Sequence, residues 1–151
     1  MSKFPSDCAL KPHGPLQGVL KEVEIMMDKN RTEESCCGGT VKLVFPCSGA
    51  ADVGGIADQV GRRITMEGLG RMYCLAGIGG HVEGILETTK QAEEIFTIDG
   101  CPVACATRAL EHVGFRPRAI NLRELGFAKG ESPVDEANIN AAFEKVKAVM
   151  E

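Results

Sequence analysis

From Val41 onward, short β-branched or apolar runs alternate with segments whose apolar residues recur every three or four positions. The runs read VKLVF, GRMYCLAGIGG, EEIFTIDG and RPRAINLREL, and they predict four strands. Strands that alternate with helices of about a dozen residues favour right-handed βαβ units and a parallel sheet. We therefore predict an α/β fold over residues 40–151, a single-domain, Rossmann-like parallel sheet of about four strands with helices on both faces.

The segments between and after these strands have the periodicity of amphipathic helices. Their expected apolar faces are Ile56, Val60 and Ile64; Val82, Ile85, Leu86 and Thr89; Val103, Ala106, Leu110 and Val113; and Ile139, Phe143, Val146 and Met150. Pro102 suits the first turn of the third helix, and Gly114 suits its end. Ser132 is predicted to cap the last helix.

Residues 1–39 precede this alternation and are interpreted as an N-terminal extension or linker. The stretch LQGVLKEVEIMM has the spacing of a helix, although Val23, Ile25 and Met27 also alternate as in a strand. A polar segment, DKNRTEESCCGG, follows it.

Composition narrows the classes of partner. The net charge is −4 without a long basic run, and the chain has no Trp and one Tyr, which argues against nucleic acid. No secretory signal is visible, and no apolar run approaches the roughly 20 residues of a membrane span. We therefore expect a cytoplasmic protein with no membrane partner. In that compartment, clustered cysteines more often bind metal or do redox chemistry than form structural disulfides.

Four of the seven cysteines fall at corresponding places in the predicted fold. Cys47, Cys74 and Cys101 each follow or end a predicted strand, and Cys105 comes four residues after Cys101. The carboxyl ends of parallel strands line one edge of a sheet, and neighbouring strands are about 4.8 Å apart. We therefore predict that these thiols converge on one metal ion. Four thiolates suit Zn²⁺, although the same set can hold an iron–sulfur cluster.

Two other interpretations of these cysteines remain open. Free cysteines are often small buried hydrophobes without chemistry. Alternatively, the protein is a thiol oxidoreductase or sulfur-transfer enzyme in which Cys101 is the nucleophile at a helix start. Cys105, or the adjacent Cys36 and Cys37, would then be the resolving thiol.

For several other candidate site residues, an incidental or purely structural role is the alternative to a functional one. Cys36 and Cys37 form either a metal-transferring arm or an incidental pair in a linker, and Cys8 is interpreted as incidental. His81 is either a fifth ligand or a solvent-facing residue. Asp99 either supports the site by hydrogen bonds or caps the following helix.

Three segments carry a family resemblance: CSGAADVGG, CLAGIGG and IDGCPVACA. They resemble the DGC-domain family, named for an Asp-Gly-Cys sequence that stands here at residues 99–101. That family is described as zinc-binding because of four chelating cysteines. Residue by residue, those cysteines correspond to Cys47, Cys74, Cys101 and Cys105. The resemblance covers roughly residues 41–118 and implies metal binding without implying a particular reaction or protein partner.

Overall fold

The computed structural model of the protein describes residues 41–151, so the predicted extension and its helix or strand lie outside the described residues. The described part contains four strands and five helices. In chain order they are β1 (Lys42–Pro46), α1 (Asp52–Met66), β2 (Arg71–Met72), α2 (Leu75–Gly79), α3 (Glu83–Lys90), β3 (Glu94–Asp99), α4 (Cys105–His112), β4 (Arg118–Asn121) and α5 (Glu136–Met150).

The four strands form one parallel sheet in the order β2-β1-β3-β4. The predicted α/β class and the parallel sheet of four strands are confirmed. From β1 the chain first adds β2 on one side and then returns to add β3 on the other. The carboxyl ends of β1 and β3 therefore flank a topological switch point, the place where open α/β sheets usually bind ligands.

Both faces of the sheet are covered because alternate residues of each strand point to opposite sides. On β1, Val44 packs against the side that holds α1 and α5, whereas Leu43 and Phe45 pack against the other side. The buried helical residues on the first side include Ile56, Val60, Ile64, Phe143, Val146 and Met150 of the predicted stripes, together with Val53, Ala57 and Ala142. The second side is smaller and centres on Ile78 and Leu110.

The second strand is shorter than predicted. Strand β2 ends at Met72, and the glycine-rich residues expected to continue it form the short helix α2. Cys74 is the residue that precedes this helix, and its carbonyl accepts the N–H of Ile78 at 3.4 Å. The turn buries Ile78 completely against the sheet. Burial of that one side chain favours the helix at a place where the apolar run predicts a strand.

The predicted starts of two further helices are wrong. Helix α4 begins at Cys105, not near Pro102, and Val103 is exposed. Helix α5 is capped by Asp135, whose carboxylate accepts the N–H of Asn138 at 2.8 Å. Ser132 instead is buried in the preceding loop, where its hydroxyl accepts the N–H of Ala128 at 3.1 Å.

Among residues 41–151, none of the helices is long and apolar enough to cross a bilayer.

The amino end of the sheet is held by an ion-pair cluster on three strands. Glu94 opens β3 and pairs with Arg118 of β4 at 2.9 Å and with Lys42 of β1 at 3.5 Å. The hydrogen bond from Arg118 is the largest influence, and it lowers the pKa of Glu94 below its ordinary value of 4.5. Folding therefore favours the ionised carboxylate, and this stabilisation is present above pH 4.5 and is lost as the pH falls through the lowered value.

We expect Glu94→Gln to lower the thermal unfolding temperature by a few degrees at pH 7, and by much less at pH 3. Calorimetry or circular dichroism at the two pH values measures this difference. Glu93→Gln changes the neighbouring exposed glutamate and is the matched control. An effect of Glu94→Gln that is equal at both pH values would contradict an electrostatic contribution of the cluster.

Candidate metal centre

The predicted ligands lie along the carboxyl edge of the sheet. Cys47 directly follows β1, whereas Cys74 and Cys101 lie two residues beyond β2 and β3. Because these three strands are neighbours in the order β2-β1-β3, Cys47 occupies the middle position. Cys105 is the first residue of α4. Cys47 and Cys101 are half-buried, whereas Cys74 and Cys105 are exposed.

Cys47 and Cys101 are brought together at the switch point. The N–H of Cys47 extends the sheet by donating to the carbonyl of Ile98 at 3.0 Å. Its Sγ accepts the N–H of Gly100, the residue before Cys101, at 3.2 Å. Cys47 and Cys101 both pack against the core on the α1 and α5 side of the sheet. The two loops that flank the switch point are therefore joined through the sulfur of Cys47.

The surroundings of Cys47 favour its neutral form. Burial is the main cause that raises the pKa of the Cys47 thiol above its ordinary value of 9.0. The charge of Asp99, and that of Cys101 whenever it is ionised, raises it further, and the N–H groups of Gly100 and Gly49 offset part of the effect. In the absence of a cation, Cys47 is therefore a thiol at neutral pH.

Glycines permit the close contact between these loops. A Cβ added at Gly100 would lie 2.7 Å from the carbonyl carbon and oxygen of Val53, in the first turn of α1. A Cβ at Gly54 would lie 2.6 Å from the carbonyl oxygen of Gly49. Distances this short are not tolerated between non-bonded heavy atoms. The turn after β3 can therefore rest on α1 only without a side chain at Gly100, and the loop after β1 can fold against α1 only without one at Gly54.

Asp99 caps the helix that follows. Its carboxylate is buried and accepts the N–H of Ala106 at 2.8 Å, the N–H of Thr107 at 3.1 Å and the hydroxyl of Thr107 at 2.6 Å. Of its two predicted roles, the capping role is confirmed. These bonds start α4 at Cys105 and leave residues 101–104 outside the helix, with Ala104 in a left-handed conformation at φ 54°. Cys101 and Cys105 therefore do not lie on one helical turn, in contrast to the prediction of a helix that begins near Pro102.

Sequence reasoning missed a residue that orders the Cys101 turn. Asn121 ends β4, and its side-chain amide donates to the carbonyl of Cys101 at 3.1 Å. The oxygen of the same amide accepts the N–H of Arg123 at 3.1 Å. The available signal was a polar Asn inside the predicted fourth strand; the observed strand ends at this residue, which places Asn121 on the same edge as the cysteines.

The cysteines open onto two different concavities. Cys47 and Cys74 line a groove of about 500 Å³, whose walls include Tyr73 and the ion pair of Asp58 with Arg62. Cys101 lines a separate cavity of about 250 Å³. The groove gives a ligand or a partner access to Cys47 and Cys74 from one side.

The thiols suit a soft divalent cation, but they are not assembled around a single point. Within residues 41–151, no three Cys, His, Asp or Glu side chains are grouped closely enough to hold one ion. The structure thus joins Cys47 to the Cys101 turn, and places Cys74 across a groove and Cys105 on α4. For all four to bind one ion, the thiols have to move closer together.

Of the lesser candidates in the described residues, His81 lies away from this edge. His81 is exposed and lies beside His112, with ring centroids 6.4 Å apart. His112 ends α4 and Cys105 begins it, so His81 lies towards the opposite end of that helix from the thiol. Cys8, Cys36 and Cys37 lie outside the described residues.

Comparisons with known proteins agree with the resemblance noted in the sequence. The model of the DGC domain matches residues 43–146. The chain is also 34% identical over 68 residues to the anaerobic and virulence modulator AnvM of Pseudomonas aeruginosa. That match covers 45% of this chain and 52% of the relative, so the chain spans about half the length of the curated relative it matches. No solved structure matches the chain.

We expect Gly100→Ala to destabilise the fold by about 1–3 kcal/mol, the usual cost of overpacking, because the added methyl group meets the backbone of α1. Denaturant unfolding measures the change. Gly84→Ala is the matched control. Gly84 lies within helix α3, and a methyl group added there meets nothing within 4 Å. Equal stability of Gly100→Ala and wild type would contradict the close contact between the two loops.

Proposed function

The chain belongs to the DGC-domain family, and from that premise we propose that it is a cysteine-ligated metal-binding protein that takes Zn²⁺. Its proposed ligands are Cys47, Cys74, Cys101 and Cys105. The supporting observation is the placement of three thiols at the carboxyl ends of three neighbouring strands, two of them at the switch point. Four thiolates match the tetrahedral preference of Zn²⁺, with bonds of about 2.3 Å.

We propose an exchangeable ion that serves sensing or delivery, not a structural ion. Both sides of the sheet bury a core of apolar side chains that does not include a metal. The proposed ligands are apart within the described residues, so binding would change the shape of the 100–105 segment. Ala104, in the left-handed region, lies in that segment and stores about 1 kcal/mol of strain. The name of the relative, a modulator, agrees with a sensing role.

The ion would compete with a proton at Cys47. The raised pKa of this thiol means that a bound cation has to displace its proton. Gly100 and Gly49 then supply N–H groups that stabilise the thiolate without contributing charge. Asp99 is engaged with the start of α4, so its role is to hold Cys105 and the intervening turn in place.

A second candidate function is thiol redox chemistry, and one observation favours it. The charge of Cys101, when it is ionised, contributes to the raised pKa of Cys47, so the two thiols are near enough to interact electrostatically. In this alternative, Cys47 and Cys101 form the reactive pair, in place of the Cys101 and Cys105 pair that the sequence suggests. Glutathione disulfide would oxidise the two thiols to one disulfide and release two molecules of glutathione.

Elemental analysis of the full-length chain, purified without oxygen or chelator, tests the metal proposal. We expect one zinc per chain in wild type. Serine at any of the four proposed ligands should weaken retention by more than about 100-fold, since losing mere supporting contacts costs 10–100-fold. Cys8→Ser is the control and should retain the ion.

Three results would redirect the assignment. Full zinc retention in both Cys101→Ser and Cys105→Ser would show that the ligand set is wrong. A brown protein with charge-transfer absorption bands would identify an iron–sulfur cluster. A metal-free protein that forms a Cys47–Cys101 disulfide with glutathione disulfide would support the redox alternative.

A further inference from the structure

We propose that the cavity beside Cys101 binds a small anion that bears a carboxylate or an oxyanion group. This cavity is separate from the groove that Cys47 and Cys74 line. The inference does not rest on the proposed metal, because it depends on charged side chains from the loops after β4.

Two cations and one carboxylate line the cavity together with Cys101. The cations are Arg123, two residues beyond β4, and Lys129, and the carboxylate is that of Glu131. In the described part of the chain, neither cation forms an ion pair; the basic residues that do are Lys42, Arg62, Arg63, Lys90 and Arg118. The lining therefore has an excess of one positive charge beside a thiol.

The nearby Asp52 is directed at backbone amides and not into the cavity. Its side chain does not line the cavity, and its carboxylate oxygens accept the N–H groups of Val53, Gly130 and Ser132. The hydrogen bond from Val53 is the main reason that the pKa of Asp52 is lowered, and the charge of Lys129 adds the smallest share. The main partners of Asp52 are therefore backbone amides, and its negative charge offsets that of Lys129 only in small part.

Hydrogen bonds hold both walls of the cavity in place. On one wall, the side chain of Asn121 joins the carbonyl of Cys101 to the N–H of Arg123. On the other wall, Asp52 accepts the N–H groups on either side of Glu131. A site whose walls are fixed in advance loses less free energy on ordering when it binds a ligand.

Location and size indicate the class of ligand. The cavity lies outside the carboxyl ends of β3 and β4, the edge at which α/β sheets bind ligands. Its volume of about 250 Å³ is below the range of about 300–1,000 Å³ typical of drug-sized ligands. Size and charge together favour a small anion, held next to the sulfur of Cys101.

Charge-matched alkylating reagents test this proposal. The full-length chain, treated with a chelator, is reacted with iodoacetate or with neutral iodoacetamide, and modification of Cys101 is followed by peptide mass spectrometry. In the Arg123→Gln/Lys129→Gln double variant, the rate ratio of iodoacetate to iodoacetamide at Cys101 should fall by about 3–10-fold, as expected for partly screened charges. Glu131→Gln should raise the same ratio.

The controls separate a local site from general charge. Arg71→Gln removes an exposed charge from β2 and should leave the ratio at Cys101 unchanged. The ratio at Cys105 should not change in the double variant. Sulfate added at constant ionic strength should slow the iodoacetate reaction at Cys101 in wild type but not in the double variant. An unchanged ratio in the double variant, or an equal fall at Cys105, would overturn the proposal.

Discussion

The contact between the turn after β3 and the first turn of α1 determines the arrangement of the candidate site. Gly100 lies against the backbone of Val53, and its N–H donates to the sulfur of Cys47. These contacts join the two loops at the switch point, where Cys47 and Cys101 stand. A side chain at Gly100 would separate the loops, and with them the two sulfurs. Gly100, the middle residue of the Asp-Gly-Cys sequence, thus permits the close approach of the two loops that carry Cys47 and Cys101.

Electrostatics favours a neutral Cys47 in the absence of a cation, and the proposed ion would reverse this preference. Without a cation, burial and neighbouring negative charge keep Cys47 protonated, and the neutral thiol accepts the N–H of Gly100. A bound cation would remove that proton and compensate the buried negative charge. Asp99 does not take part as a ligand because its carboxylate is engaged with Ala106 and Thr107. This arrangement is consistent with an ion that comes and goes while the sheet and its core persist.

Much of the fold follows from local patterns in the sequence. Alternating strand and helix signals predicted the sheet, and the stripe of Ile56, Val60 and Ile64 is fully buried. The wrong predictions arise where a tertiary contact determines the local secondary structure. Five apolar and glycine residues after Cys74 have too little periodicity to distinguish a strand from the helix that Ile78 anchors. The start of α4 depends on Asp99, which caps it from the end of the preceding strand.

For the site, the sequence predicted the edge and the residue types but not the distances. Cys47 and the Cys101 turn meet, whereas Cys74 opens onto a groove and Cys105 begins a helix. The most direct test of a shared ion is zinc K-edge X-ray absorption of the zinc-loaded full-length chain. The account predicts four sulfur neighbours at about 2.3 Å. A first shell of nitrogen or oxygen, or one with two sulfurs or fewer, would contradict it.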